Sequence, residues 1–480
     1  MKNIIRLLLA CAVFFLVSCE KNLEEVNIDP NNSPTANDSQ VLSSALGSLG
    51  YWVDVDLNSQ SFLWAQYYTW GIGVSIGNQE RFVSQPDDYD NAWNRAHEQC
   101  LIDLKFLTKS ESAAYRGVGK LLTAYIYQGL VDHFGDIPYS EALSGEIEEG
   151  SILTPTFDDA ATIYDNLIAL NDEGLAEFKN ATSDIGEDDF VYQGDLSKWT
   201  KFGNSLKLRL LMRLSEVNPK GDQVKSLISS GDFIEDLSDI AAVPFSGETG
   251  SQNPMYARFE WGVGDFYFAS NATVDVLRDL NDPRLTEFYS LATVGAFSGQ
   301  IRGIDQGTID NEPFTADAAE YSGSSDYAYG VANSVILMSP WEVWFLRAEA
   351  AARYGTADDD EAAFNAAITS NFDYIGLSDA DSYISTLNYG GSLDEKLNLI
   401  GIQKWISMNG TQEDEGWIET RRFDRPGNRI FTEGIFQTPP LSILPAGTFP
   451  ASWLYPASER SLNPNTPAQR TITDRLFWDN

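Results

Sequence analysis

Pro340-Trp341-Glu342-Val343-Trp344-Phe345-Leu346-Arg347-Ala348-Glu349-Ala350-Ala351-Ala352-Arg353-Tyr354-Gly355 is the stretch from which the fold is read. Pro340 suits the first turn of a helix, where a missing N–H costs nothing. Trp341, Trp344, Phe345, Ala348 and Ala352 then recur at helical spacing, and Gly355 marks the stop. A partner helix follows with Ala362, Ala363, Ala366 and Ala367 and runs to Phe372. A large residue followed by alanine one or two turns later lets paired antiparallel helices approach closely. The pattern predicts a helical hairpin.

Further helices carry the same period. Tyr115, Val118, Leu122, Tyr125, Ile126, Gly129, Leu130 and His133 line one face of the first long one. Ala161, Tyr164, Leu167 and Ile168 mark the next, with Thr156 or Asp158 as its expected cap. Trp199, Phe202, Leu206, Leu210 and Leu214 mark a third, and Leu397 to Met408 a fourth that ends near Gly410. The Pro340–Phe372 hairpin resembles a tetratricopeptide unit, although no period of about 34 residues runs along the whole chain. Residues 51–90, 246–270, 293–335 and almost everything after Arg422 show no period, which predicts long loops rich in Trp and Tyr. The expected class is mostly α, with little β.

Composition narrows the function. The 480 residues carry 70 acidic against 32 basic side chains, a formal charge of −38. A nucleic-acid binder needs a basic face to displace counterions, and a polybasic lipid-binding patch is excluded for the same reason. At 43 % hydrophobic and 12 % aromatic, the chain is too apolar for an acidic disordered segment.

The N-terminus reads as an export signal. Lys2 and Arg6 precede an apolar run, Leu7 to Val17, that is too short to span a bilayer. Leu16-Val17-Ser18-Cys19 closes it in the manner of a bacterial lipoprotein signal, which assigns residues 1–18 to the signal and Cys19 to lipidation. Residues 19–40, with Pro30, Pro34 and many Asn and Asp, read as a lipid-anchored tether, and 41–480 as one folded domain. No later segment holds 18 uninterrupted apolar residues, so acyl chains are the expected membrane anchor. Cys11 leaves with the signal and Cys19 takes lipid, which leaves Cys100 as a lone thiol in a helical run, expected to be buried and inert.

Motifs for catalysis fail on inspection. Gly73-Val74-Ser75-Ile76-Gly77 has the spacing of a nucleophile elbow, but no convincing helix follows it. Asp54-Val55-Asp56-Leu57-Asn58 opens like a calcium loop, then offers Ser59 where glycine and Ala65 where glutamate belong. Two histidines and one free cysteine make a zinc or iron site improbable, and no cofactor is expected. With 70 acids, paired carboxylates for glycoside hydrolysis occur by chance and carry no signal.

Gly129-Leu130-Val131-Asp132-His133-Phe134-Gly135-Asp136-Ile137-Pro138-Tyr139-Ser140-Glu141-Ala142 resembles a signature of the SusD/RagB family of nutrient-binding outer-membrane lipoproteins. Asp87 to Trp93, Asn281-Asp282-Pro283-Arg284-Leu285 and Trp344-Phe345-Leu346-Arg347-Ala348-Glu349-Ala350 follow in the family's order. So do Gln403-Lys404-Trp405-Ile406, Gly416-Trp417-Ile418-Glu419-Thr420-Arg421-Arg422 and Leu454-Tyr455-Pro456-Ala457-Ser458-Glu459. The resemblance spans essentially the whole chain and is closest to the second SusD-like subfamily. It implies tetratricopeptide-like helix pairs, four in the family, beneath a loop-rich face. It implies no enzymatic activity, and a cell-surface lipoprotein that lids a SusC-type TonB-dependent transporter and captures oligosaccharides, or in some members peptides, for import. Within the signature, His133 and Arg347 lie on apolar helical faces and read as architectural, and Asp136-Ile137-Pro138 reads as a helix stop.

Family ligand sites vary, so the binding residues are read from this sequence alone. Sugar rings lie flat on Trp and Tyr, while Asn, Gln, Asp and Arg bond their hydroxyls. Trp64-Ala65-Gln66-Tyr67-Tyr68-Thr69-Trp70 followed by Asn78, Gln79 and Arg81 offers both kinds of group. So do Trp261 to Phe268 and Tyr321 to Tyr329. The expected ligand residues are Trp70, Asn78, Arg81, Trp261, Tyr267 and Tyr327. The rival readings are an adhesion lipoprotein without a small ligand and a surface glycoside hydrolase.

Overall fold

The computed structural model describes residues 36–71, 78–145, 150–179, 181–258, 267–307 and 317–479. The signal, Cys19, most of the tether, Gly73–Gly77 and Trp261 lie outside them. Helix α1, Asp38–Tyr51, starts within the stretch assigned to the tether, because the Asn37 side chain accepts the Gln40 N–H and caps it.

The stretch after α1 departs from the expected loop. Trp52–Leu57 continues as a π-helical turn into α2, Asn58–Trp64. Asp54, Asn58, Gln60 and Ser61 are all buried here, so polar residues sit where an amphipathic period would place apolar ones. The period is broken while the helix is kept. α2 leads to the short strand β1, Tyr68–Trp70.

The scaffold consists of helix pairs. α3, Ala113–Phe134, runs antiparallel to α4, Ala160–Phe178, with Gly117 against the Phe178 ring and Asp136 accepting the N–H of Ala160. A Cβ at Gly117 would stand 2.2 Å from that ring, which makes the close approach dependent on glycine. Asp159 caps α4 in place of the expected Thr156 or Asp158; Asp158 accepts the N–H groups of Tyr139 and Ser140, and Thr156 donates its N–H to Glu141. α5, Leu196–Arg213, packs on α4.

Strand β2, Ala241–Val243, β3, Tyr267–Ala269, and β4, Val335–Met338, complete the little β structure. β1 pairs with β3 antiparallel, Trp70 opposite Tyr267, and β2 pairs with β4. The predicted hairpin follows as α6, Pro340–Tyr354, and α7, Asp360–Ile375, with Ser339 as cap and Gly355 at φ 62°. α8, Leu393–Met408, pairs with α9, Glu413–Phe423, with Lys404 bonded to Glu419 at 2.8 Å. Among the described residues seven tryptophans, including Trp52, Trp341 and Trp417, are almost fully buried. They are core residues, and burying each side chain contributes on the order of 2–3 kcal/mol.

Candidate functional site

β1 and β3 hold the aromatic residues that the sequence singles out. Tyr68, Thr69, Tyr267 and Phe268 are all buried, so both faces of the β1–β3 pair are covered, and the two-residue period puts Trp70 on the same face as Tyr68 and its register partner Tyr267. Trp70 is half-buried, and its ring centroid lies 4.9 Å from that of Tyr267, which in turn meets Phe62 edge-on at 4.9 Å. Tyr267 is only 6 % exposed, so the expectation of an open platform there is corrected: Tyr267 is the underlay and Trp70 the outer ring.

A buried carboxylate fixes this pair. Glu80 accepts the Thr69 hydroxyl at 2.6 Å, the Trp70 N–H at 2.9 Å and the Gln306 side-chain amide at 2.6 Å. Burial pushes its pKa up to about 7, even though the bonds from Thr69 and Trp70 favour the charged form. Asn78, two residues before Glu80, is exposed, and Arg81, the residue after it, is half-buried with its carbonyl accepting the Ile443 N–H. The Trp70–Tyr267 pair is thus tied through Glu80 to the loop that carries Asn78 and Arg81. Tyr327 does not share this role. Its ring packs on Phe288 and Tyr374 at 5.4 and 6.1 Å, which fastens the loop to the scaffold.

Beside β3 runs the segment 301–307, whose Ile304 N–H donates to the Ala269 carbonyl and whose Ile304 carbonyl accepts from Asn271. A cleft of about 290 Å³ opens there, lined by Asn271, Arg278, Phe297, Arg302, Asp305 and Tyr321. The Arg302 guanidinium lies 3.9 Å from the Tyr321 ring centroid and 4.8 Å from that of Phe297, and it pairs with Glu320 at 2.9 Å. Asn271 donates to Asp305 at 2.6 Å. Phe297 is 40 % exposed at the rim. A flat ring, a guanidinium, an amide and a carboxylate around one opening suit a ring with many hydroxyls. Sequence reading found Tyr321 but missed Phe297, Arg302 and Asp305; their signal was the length of the aperiodic stretch, which does not say which residues face outward.

The architectural readings hold. His133 bonds Asp414 at 2.9 Å and is 1 % exposed, while Arg347 pairs with Asp358 at 2.7 Å and lies over the Trp344 ring. Cys100 is buried and its thiol pKa is raised by desolvation, which makes it inert. Asp54 accepts the Met255 N–H and Asp56 pairs with Arg95, so the calcium-like run serves as structure. Among the described residues no group of three His, Cys, Asp or Glu is placed to hold a metal, and no helix is long and apolar enough to cross a membrane.

Comparison with known proteins agrees with this fold. A family model of SusD-like proteins, described as starch-binding and associating with the outer membrane, matches residues 30–432. None of the curated proteins matches the chain in sequence. Among solved structures, a SusD homologue from Bacteroides uniformis is similar with a TM-score of 0.75 at 20 % identity, over 92 % of this chain and 99 % of that one. A chitin-binding SusD homologue from Flavobacterium johnsoniae gives a TM-score of 0.75 at 18 % identity, over 92 % and 97 %. Another structure, described as a chitin-binding protein, gives 0.74 at 22 % identity, over 92 % and 100 %.

Proposed function

The chain belongs to the SusD-like family, and from that premise we propose that it binds neutral oligosaccharides at the cell surface and passes them to a SusC-type TonB-dependent transporter. The family is one of binding proteins, not enzymes, associated with the outer membrane. The observation that carries the reading is the cleft beside β3. There Phe297 and Tyr321 bracket the Arg302 guanidinium, next to the hydrogen-bonded Asn271 and Asp305. Starch and chitin are uncharged polymers, and the net charge of −38 disfavours polyanionic glycans by long-range repulsion. Exposed Leu291, Val294 and Phe297 crown the same loop face and suit contact with a partner. The lipid anchor at Cys19 would hold the protein beside that partner.

Titration calorimetry of the mature protein with malto- and chito-oligosaccharides tests the reading, with product analysis of the same mixtures. Saturable binding without turnover is expected. Turnover, or the absence of binding by either series and by other neutral glycans, would overturn it. Recovery of a TonB-dependent barrel after gentle detergent extraction tests the partnership.

A further inference from the structure

Away from β1 and β3, the chain after α9 and the C-terminal segment enclose a second pocket, of about 310 Å³. It shares no lining residue with the cleft beside β3. Arg421 forms part of its wall and is only 7 % exposed. The guanidinium is held rigidly, with its carbon 3.8 Å from the Trp417 ring centroid and 4.7 Å from that of Trp478. Its two terminal nitrogens donate to the carbonyls of Ala451 and Asp132. Its Nε–H is buried and has no partner among the described residues. A buried charged donor left unpaired is costly, so such a group calls for an acceptor.

The remaining lining sets what that acceptor is. Asp479 is the strongest charged neighbour of Arg421, yet its ion contact is with Arg475, at 3.6 Å. Arg429 and Glu433 stand 3.8 Å apart. Asp424 is turned inward and accepts the N–H groups of Phe431 and Thr432. Cations and anions are thus matched, and a bare oxyanion would meet Glu433 and Asp479 as well as the arginines. An apolar ligand would leave the Arg421 donor unpaired. Thr448 and Phe449, whose ring packs on Phe436 at 5.6 Å, complete the lining. The volume is at the small end of the roughly 300–1,000 Å³ of ligand pockets.

We propose that this pocket is a second ligand site, which takes a single neutral sugar residue with a ring or hydroxyl oxygen on the Arg421 Nε–H and a hydroxyl donated to Asp479. The site acts separately from the loop-face cleft and would hold a chain end or a free monosaccharide. Saturation-transfer NMR and calorimetry on the mature protein test it, with glucose, galactose and N-acetylglucosamine as probes and glucuronate and sulfate as the charged arms. At least one neutral sugar should bind saturably in the millimolar range. Arg421→Lys, which lacks the Nε–H fork, should weaken that binding at least tenfold, and Thr448→Val at the rim should weaken it severalfold with an unchanged melting temperature. The same monosaccharide should still bind Phe297→Ala. Should Arg421→Lys fail to fold, Thr448→Val carries the test. Saturable binding of the anions alone, no binding of any neutral sugar, or monosaccharide binding lost in Phe297→Ala and kept in Thr448→Val would overturn the proposal. Failure here leaves oligosaccharide binding at the cleft to be judged by its own titration.

Discussion

The Glu80 carboxylate accepts the backbone N–H of Trp70 at 2.9 Å while being 1 % exposed, so a buried acid sets the position of the half-exposed ring on β1. Its neighbours Thr69 and Gln306 bond the same group, which ties β1 to the segment that borders the cleft.

This arrangement makes stability fall as pH rises. The folded pKa of Glu80, about 7, lies above its ordinary value of 4.5, so the native state holds the proton more tightly than the unfolded chain. The stabilisation is complete below about pH 4.5 and is lost as pH climbs to about 7. A shift of this size corresponds to on the order of 3 kcal/mol. Asp54, raised to about 6, and Glu413, raised to about 7, act in the same direction and also through burial. Thermal unfolding should therefore show a lower melting temperature at pH 8 than at pH 5.5. Glu80→Gln should flatten part of that slope, and equal slopes in both proteins would refute the assignment to Glu80.

Ring exposure separates binding from packing. Phe297→Ala and Trp70→Ala remove outward rings, each worth on the order of 1–2 kcal/mol of stacking, and should weaken oligosaccharide binding roughly tenfold. Their melting temperatures should change little. Tyr267→Ala opens a cavity under Trp70 and should cost the fold about 3–5 kcal/mol. Calorimetry paired with melting curves distinguishes the two groups. A Tyr267→Ala protein with unchanged melting temperature would show that ring to be a contact residue after all.

The centre of the helical scaffold is ionic. Arg213 is fully buried, 3.2 Å from Asp132 and 2.5 Å from Glu415, and it also bonds Glu419. Arg422 joins Glu419 to Glu349, each at 2.6 Å. Arg213→Met would remove the cation that Asp132, Glu415 and Glu419 share, leaving Glu419 to Lys404 and Arg422 and the other two without it, and should cost about 3–5 kcal/mol. Chemical denaturation measures the loss, and because the pairs are buried, added salt should not mimic it. A variant as stable as the parent would mean that these acids take up protons at little cost.

How far the sequence spoke depended on whether local signals and burial agreed. At Pro340–Gly355 the helix start, the apolar period and the stop coincide, and the helix has those bounds. Along Trp52–Trp64 they conflict: inward Asp54, Asn58 and Gln60 erase the period, and a helix is read as a loop. Asp54 accepts the N–H of Met255 and Asn58 that of Asp414, partners far away in sequence that no local pattern displays. The loop aromatics were legible as a group. Their division into an underlay of Tyr68 and Tyr267 and an outer Trp70 depends on the β1–β3 pairing, which joins residues about 200 positions apart. Phe297 and Arg302 escaped notice because an exposed Phe beside an Arg is ordinary in any loop until Tyr321 is folded against it.

The anchor is the last expectation open to a direct test. Leu16-Val17-Ser18-Cys19 ends a short apolar run after Lys2 and Arg6, and Cys19 is the residue that would carry the acyl chains. The first described helix starts at Asp38, and its buried residues, from Val41 onward, pack against the scaffold. Lipidation should therefore control location and leave the fold alone. Cys19→Ser is expected to lose the mass of the acyl groups and, in cells lacking the partner transporter, to leave the outer-membrane fraction. A two-acyl anchor binds membranes stably whereas a chain without one does not, so the shift should be nearly complete. Its melting temperature and its oligosaccharide affinity should match the parent. Intact-mass measurement and fractionation read the result. A mutant that stays with the outer membrane in the absence of the transporter would mean that something other than the lipid holds this protein at the surface.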